Sequence, residues 1–143
     1  VPLRGQESGI RVYGEQRGSA VSDFNGDGRP DLVVTQNGNR TRLFRNVNGK
    51  PGIRVRLVGD TGNPHAVGAT IRLQFRSELG PACEIHVGSG YWSQDSSILV
   101  LAHAKDADGI WVRWPGGKET TSVLPSNARA VEISADGTLR VVR

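Results

Sequence analysis

The sequence predicts an all-β protein, and three observations predict it. Apolar and polar residues alternate in short runs rich in Val, Ile, Leu and Thr, as in Ile53-Arg54-Val55-Arg56-Leu57-Val58 and Ala69-Thr70-Ile71-Arg72-Leu73-Gln74-Phe75. That two-residue period places one set of side chains on each face of a strand. Such runs recur every dozen residues or so, separated by Gly, Pro, Asn or Asp, which is the spacing of an antiparallel sandwich or barrel. No window carries apolar residues at a 3.6-residue period, so helix is expected to be scarce.

Taken in order, residues 1–18 are polar and Gly-rich, with one short strand expected at Ile10-Arg11-Val12-Tyr13. Strands are expected near 19–23 and 31–36, then a hairpin turn at Asn37-Gly38-Asn39, where Gly and Asn accept the backbone twist a tight turn needs. Thr41–Asn46 reads as the next strand. Asn48-Gly49-Lys50-Pro51-Gly52 is a turn-rich junction, and it divides the chain into an expected first unit, 1–50, and a second, 51–143. Beyond the junction, strands are expected at 53–58, 69–75, 82–87, 97–102, 109–114, 119–124, 129–134 and 138–142.

The chain has 143 residues, enough for one domain or slightly more. No apolar run is long enough to span a bilayer, and Val1 opens no charged-then-apolar leader, so the sequence reads as an excised or mature piece of a longer protein. The lone cysteine, Cys83, excludes an internal disulfide and reads as a small buried hydrophobe within an alternating run.

Between the first two strong strands lies Asp23-Phe24-Asn25-Gly26-Asp27-Gly28-Arg29-Pro30-Asp31. Side-chain oxygens fall at loop positions 1, 3, 5 and 9, a backbone carbonyl at position 7 and Gly at position 6, the arrangement a Ca²⁺ loop uses to gather oxygen ligands at about 2.3–2.6 Å. Asp23, Asn25, Asp27, the Arg29 carbonyl and Asp31 are the candidate ligands. Three carboxylates this close repel one another unless a cation neutralises them; the alternative is an Asx-rich turn without metal. An EF-hand would place Glu at position 12, where this chain has Val34, and the flanks read as strands rather than helices.

A D-x-[DN]-x-D-G-x-x-D loop between strands, followed by Asp31-Leu32-Val33-Val34, resembles the FG-GAP/VCBS repeat of integrin-type β-propellers. The resemblance implies a Ca²⁺-binding loop inside one propeller blade, closed by Leu43-Phe44-Arg45-Asn46. A propeller needs several blades, so residues 1–50 would be a last, partial blade whose neighbours lie outside this chain. A second resemblance rests on three elements in order: Gly68-Ala69-Thr70-Ile71, Gly88-Ser89-Gly90-Tyr91-Trp92-Ser93-Gln94-Asp95-Ser96, and Val112-Arg113-Trp114-Pro115-Gly116-Gly117. These look like the signature of the ASPIC/UnbV domain, which in cartilage acidic protein-like exported proteins follows an FG-GAP propeller. Relatives carry a Phe-Gly-Leu-Gly-like turn after the signature; here Leu99–Ala104 stands in its place.

Catalytic motifs are weak. Ser89 in Gly-Ser-Gly lacks the context of a nucleophile elbow. His65, His86 and His103 are too far apart to form a ligand-spaced zinc set. Gly116-Gly117-Lys118 lacks the rest of a phosphate-binding loop. Tyr91, Trp92, Trp111 and Trp114 read either as a sugar-stacking platform or as core aromatics, and Tyr91, Trp92, Ser93 and Gln94 form a candidate ligand loop. From Arg40 to Arg76 there are eight basic residues and one acid, Asp60. This basic stretch is expected on one sheet face, either simply solvated or facing a polyanion; no nucleic-acid-binding motif accompanies it.

The sequence thus points to a non-enzymatic, Ca²⁺-binding interaction or adhesion module of an exported protein, located extracellularly, in a periplasm or at a cell surface. Its expected partner is a protein or an acidic polysaccharide, with no specific nucleic acid and no membrane span. The alternatives are a carbohydrate- or polyanion-binding module and an accessory domain of a secreted enzyme.

Overall fold

The computed structural model describes residues 3–102 and 106–142. It is almost entirely β. Its described helix is a single turn, α1 (Gly5–Ser8), held by the Glu7 carboxylate accepting from the Arg4 N–H and ended by Gly9 at φ +75°. Ile10–Tyr13 forms no strand, contrary to the alternation. Ile10 and Tyr13 are both exposed, so no core repays ordering them as a strand.

Three sheets carry the rest. In the first, β1 (Gln16–Ser22), β2 (Asp31–Gln36) and β3 (Arg42–Phe44) form an antiparallel meander with Leu32 opposite both Val21 and Phe44. The second and third sheets face each other as an open sandwich. One holds, in spatial order, β12 (Leu139–Val141), β11 (Ala130–Ser134), β4 (Ile53–Val58) and β8 (Leu99–Leu101). The other holds β10 (Glu119–Val123), β9 (Gly109–Arg113), β5 (Thr70–Phe75) and β6 (Glu78–Leu79), with β7 (Cys83–Glu84) also on β5. Neither sheet closes into a barrel.

The alternation explains the core. Ile53, Val55, Leu57, Leu101, Val131 and Ile133 from one sheet join Ile71, Leu73, Ile110 and Val112 from the other in one cluster, together with Ile85, Leu124 and Trp114. Cys83 is half-buried against this core. Two departures are physical rather than local. The expected strand at 82–87 shrinks to β7, because only Cys83 and Glu84 find a partner on β5. And β11 lies parallel to β4, Val131 beside Val55 and Ile133 beside Leu57, within a sandwich expected to be antiparallel. Between these strands the chain crosses to the opposite sheet and back, so no hairpin constrains their direction.

The small meander sits on the sandwich instead of hanging free. The Gly52 N–H donates to the Gly28 carbonyl at 2.8 Å, and Arg29 Nε donates to the Gly49 carbonyl at 2.6 Å. Gly28 has φ +80°, and a Cβ there would come within 2.9 Å of the Gly52 carbonyl, so this position needs glycine twice over. Along the outer edge of β1, Asp95 Oδ1 accepts from the Val21 N–H at 2.7 Å and the Ser96 N–H donates to the Val21 carbonyl at 2.9 Å.

Candidate functional site

The loop between β1 and β2 winds around its own carboxylates. Asp23 Oδ1 accepts from the Asp27 N–H (3.0 Å) and Oδ2 from the Gly28 N–H (2.8 Å). Asn25 Oδ1 takes the Asp27 N–H more weakly at 3.3 Å, and Asp27 Oδ1 accepts from the Arg29 N–H at 3.0 Å. Asp31 spans the base, accepting from the Phe24 N–H at 3.1 Å and from the Asn46 N–H at 2.8 Å. Asx side chains favour such local bonds to main-chain amides, and Gly26 and Gly28, both at positive φ, let the loop curl that tightly. Asp23 and Asp31 are buried, Asp27 is half-buried, and Asn25 and Phe24 are exposed.

Guanidinium groups crowd the same carboxylates. Arg29 lies 3.0 Å and Arg45 3.8 Å from Asp27 Oδ2, and Arg54 Nε lies 3.1 Å from Asp23 Oδ2. The Asn25 amide hydrogen-bonds Asp27, and with the bonds and charge of Arg29 it holds that carboxyl below its ordinary value of 3.8. Among the described residues, no three His, Cys, Asp or Glu side chains are gathered into a ready metal cage.

The donor set nonetheless fits a hard cation. Its atoms are oxygens with two lone pairs each, so Asp23 Oδ1, Asp27 Oδ1 and both Asp31 oxygens, each bonded to one amide, keep a second for a metal, whereas Asp27 Oδ2 already takes the Asn25 amide and Arg29. All five expected ligand residues lie on this one loop. Arg54, Arg45 and Asn46, which also engage it, were not foreseen. They arrive from β4 and from the end of β3, and no local spacing connects them with Asp23.

The second candidate site is the loop after β7. It is braced internally: the Ser89 N–H donates to the Ser93 carbonyl, the Asp95 N–H to Ser89 Oγ, and the Ile98 N–H to Ser96 Oγ. Tyr91 and Trp92 are 65% and 87% exposed, so they are not core aromatics. Their ring centroids lie 6.2 Å apart with planes tilted by 58°, and Trp92 adopts φ +51°, uncommon for a bulky residue. Ser93 is half-buried and faces the meander together with Tyr91 across a cleft of about 490 Å³, which Ile10, Val12, Leu32 and Val34 also line. Gln94 and Asp95 line a cleft on the other side, of about 670 Å³, with Val21, Phe24 and Leu43.

The four expected platform aromatics do not stay together. Trp114 is buried, its indole N–H donating to Thr120 Oγ1 at 2.8 Å. Trp111 stands on the outward face of β9 opposite Arg72, and its N–H reaches Glu119 at 3.3 Å. The basic stretch is divided too. Arg54 and Arg56 lie on β4 of one sheet and Arg72 on β5 of the other, so they do not form the single face that their alternation predicted. Arg56 is paired with Glu132 at 3.1 Å. His86 sits 3.7 Å from Glu84, and His103 lies outside the described residues.

Residues 59–139, which contain this braced loop and most of the sandwich, match the model of the family described as ASPIC and UnbV. The chain belongs to the ASPIC and UnbV family. Residues 23–70, from the first ligand of the carboxylate loop onward, match the FG-GAP-like repeat. Cartilage acidic protein 1 of Xenopus tropicalis is 30% identical over 110 residues, covering 73% of this chain. The chain spans only 17% of that relative's length. In this ASPIC and UnbV chain the residues replacing the Phe-Gly-Leu-Gly-like turn begin as strand: Leu99–Leu101 is β8, and Leu101 is buried against Ile53. Among the described residues, no helix is long and apolar enough to cross a membrane.

Proposed function

We propose that this chain is a non-enzymatic, Ca²⁺-binding interaction module of an exported protein, working in adhesion or assembly outside the cytoplasm, with a protein or an acidic polysaccharide as partner. The observation that carries the reading is the loop itself: Asp23, Asn25, Asp27, the Arg29 carbonyl and Asp31 wind round two glycines at the foot of β1 and β2. A bound Ca²⁺ would neutralise the three carboxylates and hold the turn at the junction with the sandwich. The match to the FG-GAP-like repeat and the likeness to a cartilage acidic protein support a setting where Ca²⁺ is near millimolar, which suits a weak loop site. Ser89, which lacks the context of a nucleophile elbow, accepts the Asp95 N–H, which favours a bracing role for it.

Calorimetric titration with CaCl₂ tests the reading. One site is expected, abolished by Asp27→Ala; well-folded protein that takes up no Ca²⁺ at several millimolar would contradict it. A carbohydrate-binding reading draws on a separate observation, the exposed Tyr91–Trp92 pair. It expects retention on an acidic polysaccharide column that Trp92→Ala removes without lowering the melting temperature.

A further inference from the structure

Three carboxylates stand in the loop, and three guanidiniums surround it. Arg45 is the loosest of these, exposed and 3.8 Å away, and Arg29 belongs to the loop and moves with it. Arg54 differs from both. It approaches Asp23, whose side chain is only 2% exposed, and it comes from the sandwich. Its guanidinium lies over the turn, with Nη1 3.4 Å from where a Cβ on Gly26 would be. Its backbone cannot retreat, because β4 is held between β11 and β8 with Arg54 beside Ala130 and Val100. Its Nε is buried, and although it is close to Asp23 Oδ2 it finds no aligned hydrogen-bond acceptor. The contact therefore supplies charge without a well-formed bond.

We infer that Arg54 is an internal competitor for the cation: it neutralises Asp23 in the metal-free protein and sets how tightly the loop takes Ca²⁺. This inference rests on the calcium reading of the loop. A cation entering the loop meets a positive charge a few ångströms away, fixed at its root. At the effective dielectric of a partly buried site, that repulsion is worth more than a factor of ten in affinity. To relieve it the guanidinium must swing away from Asp23, along a cleft of about 800 Å³ that runs from Gly26 and Asp27 of the loop to Ser126 and Asn127 at its far side. Metal uptake is then coupled to a side chain of the sandwich, and so to the junction between the two parts of the chain.

The test is calorimetric titration of the whole chain with CaCl₂, comparing wild type, Arg54→Gln and Arg56→Gln. Arg56→Gln removes the same charge from the same strand but from the ion pair with Glu132. Arg54→Gln is expected to bind at least tenfold more tightly and Arg56→Gln within about threefold of wild type, a margin set by screening at an exposed position. In EDTA, Arg54→Gln is expected to melt below wild type, with the difference closing or reversing in saturating Ca²⁺. Arg54→Met, which keeps the stem over the turn, gives the same readings should the glutamine variant not fold. Equal affinity of the Arg54 variants and wild type, or equal tightening by Arg56→Gln, overturns the inference. If wild type binds nothing while Arg54→Gln binds, the inference stands and the calcium reading of the native protein falls. If neither binds, both fall.

Discussion

Asp95→Ala isolates one of the two hydrogen bonds by which the ASPIC and UnbV loop holds Val21 of the meander. Asp95 Oδ1 accepts the Val21 N–H at 2.7 Å on the outer edge of β1, where the Ser96 N–H also donates to the Val21 carbonyl at 2.9 Å and remains in the variant. A hydrogen bond to a charged group contributes roughly 1.5–3 kcal/mol. Asp95 is exposed, so water can replace it and the low end applies, about 1.5 kcal/mol. The Asp95 N–H still reaches Ser89 in the variant, so the internal bracing of the loop survives. For a chain of this size, 1 kcal/mol moves the melting temperature by about 2–4 °C, which predicts a fall of roughly 3–6 °C. Hydrogen exchange gives the sharper reading: the Val21 amide should exchange faster while Ile71 and Val112 in the sandwich keep their protection. Asp95→Asn, which retains an acceptor oxygen, should lose about half as much, on the scale of a neutral hydrogen bond. Unchanged melting together with unchanged exchange at Val21 would refute the idea that this bond secures the meander.

Other outcomes follow from the same structure. With a Kd of roughly 10⁻⁴ M, 5 mM Ca²⁺ should stabilise the protein by about 2 kcal/mol over EDTA, and a melting temperature indifferent to the chelator would mean that the metal does not support the fold. In EDTA, the lowered pKa of Asp27 gives a pH dependence of known sign: its contribution is present above the ordinary value of 3.8 and is lost as pH falls through the lower folded value. The stability gap between wild type and Asp27→Asn, read by urea unfolding, should therefore be open at pH 6 and close in acid below 3.8. Ile71→Ala, at a position with no exposed surface, should cost about 2–5 kcal/mol by leaving a cavity in the sandwich, and chemical denaturation should show a lower midpoint with the same slope.

Much of this protein was legible without coordinates. The two-residue alternation in 53–58 and 69–75 determined which side chains form the core, because a strand has only two faces and one was apolar. The spacing of Asp23, Asn25, Asp27 and Asp31 about Gly28 determined the curl of the loop, since Asx side chains and a positive-φ glycine act within a few residues. Tertiary structure alone decided what depends on residues far apart in the chain. Ile10–Tyr13 has the alternation of a strand but met no partner. β11 took the parallel direction beside β4 because its path passes through the opposite sheet. Tyr91 and Trp92 remained exposed while Trp114 filled the core, although all three are equally aromatic in the sequence. Asp23 acquired Arg54, whose alternation placed it outside the core but could not say which carboxylate it would face. Local patterning sets backbone conformation and face, whereas pairing is chosen by which surfaces the folded chain brings within a few ångströms.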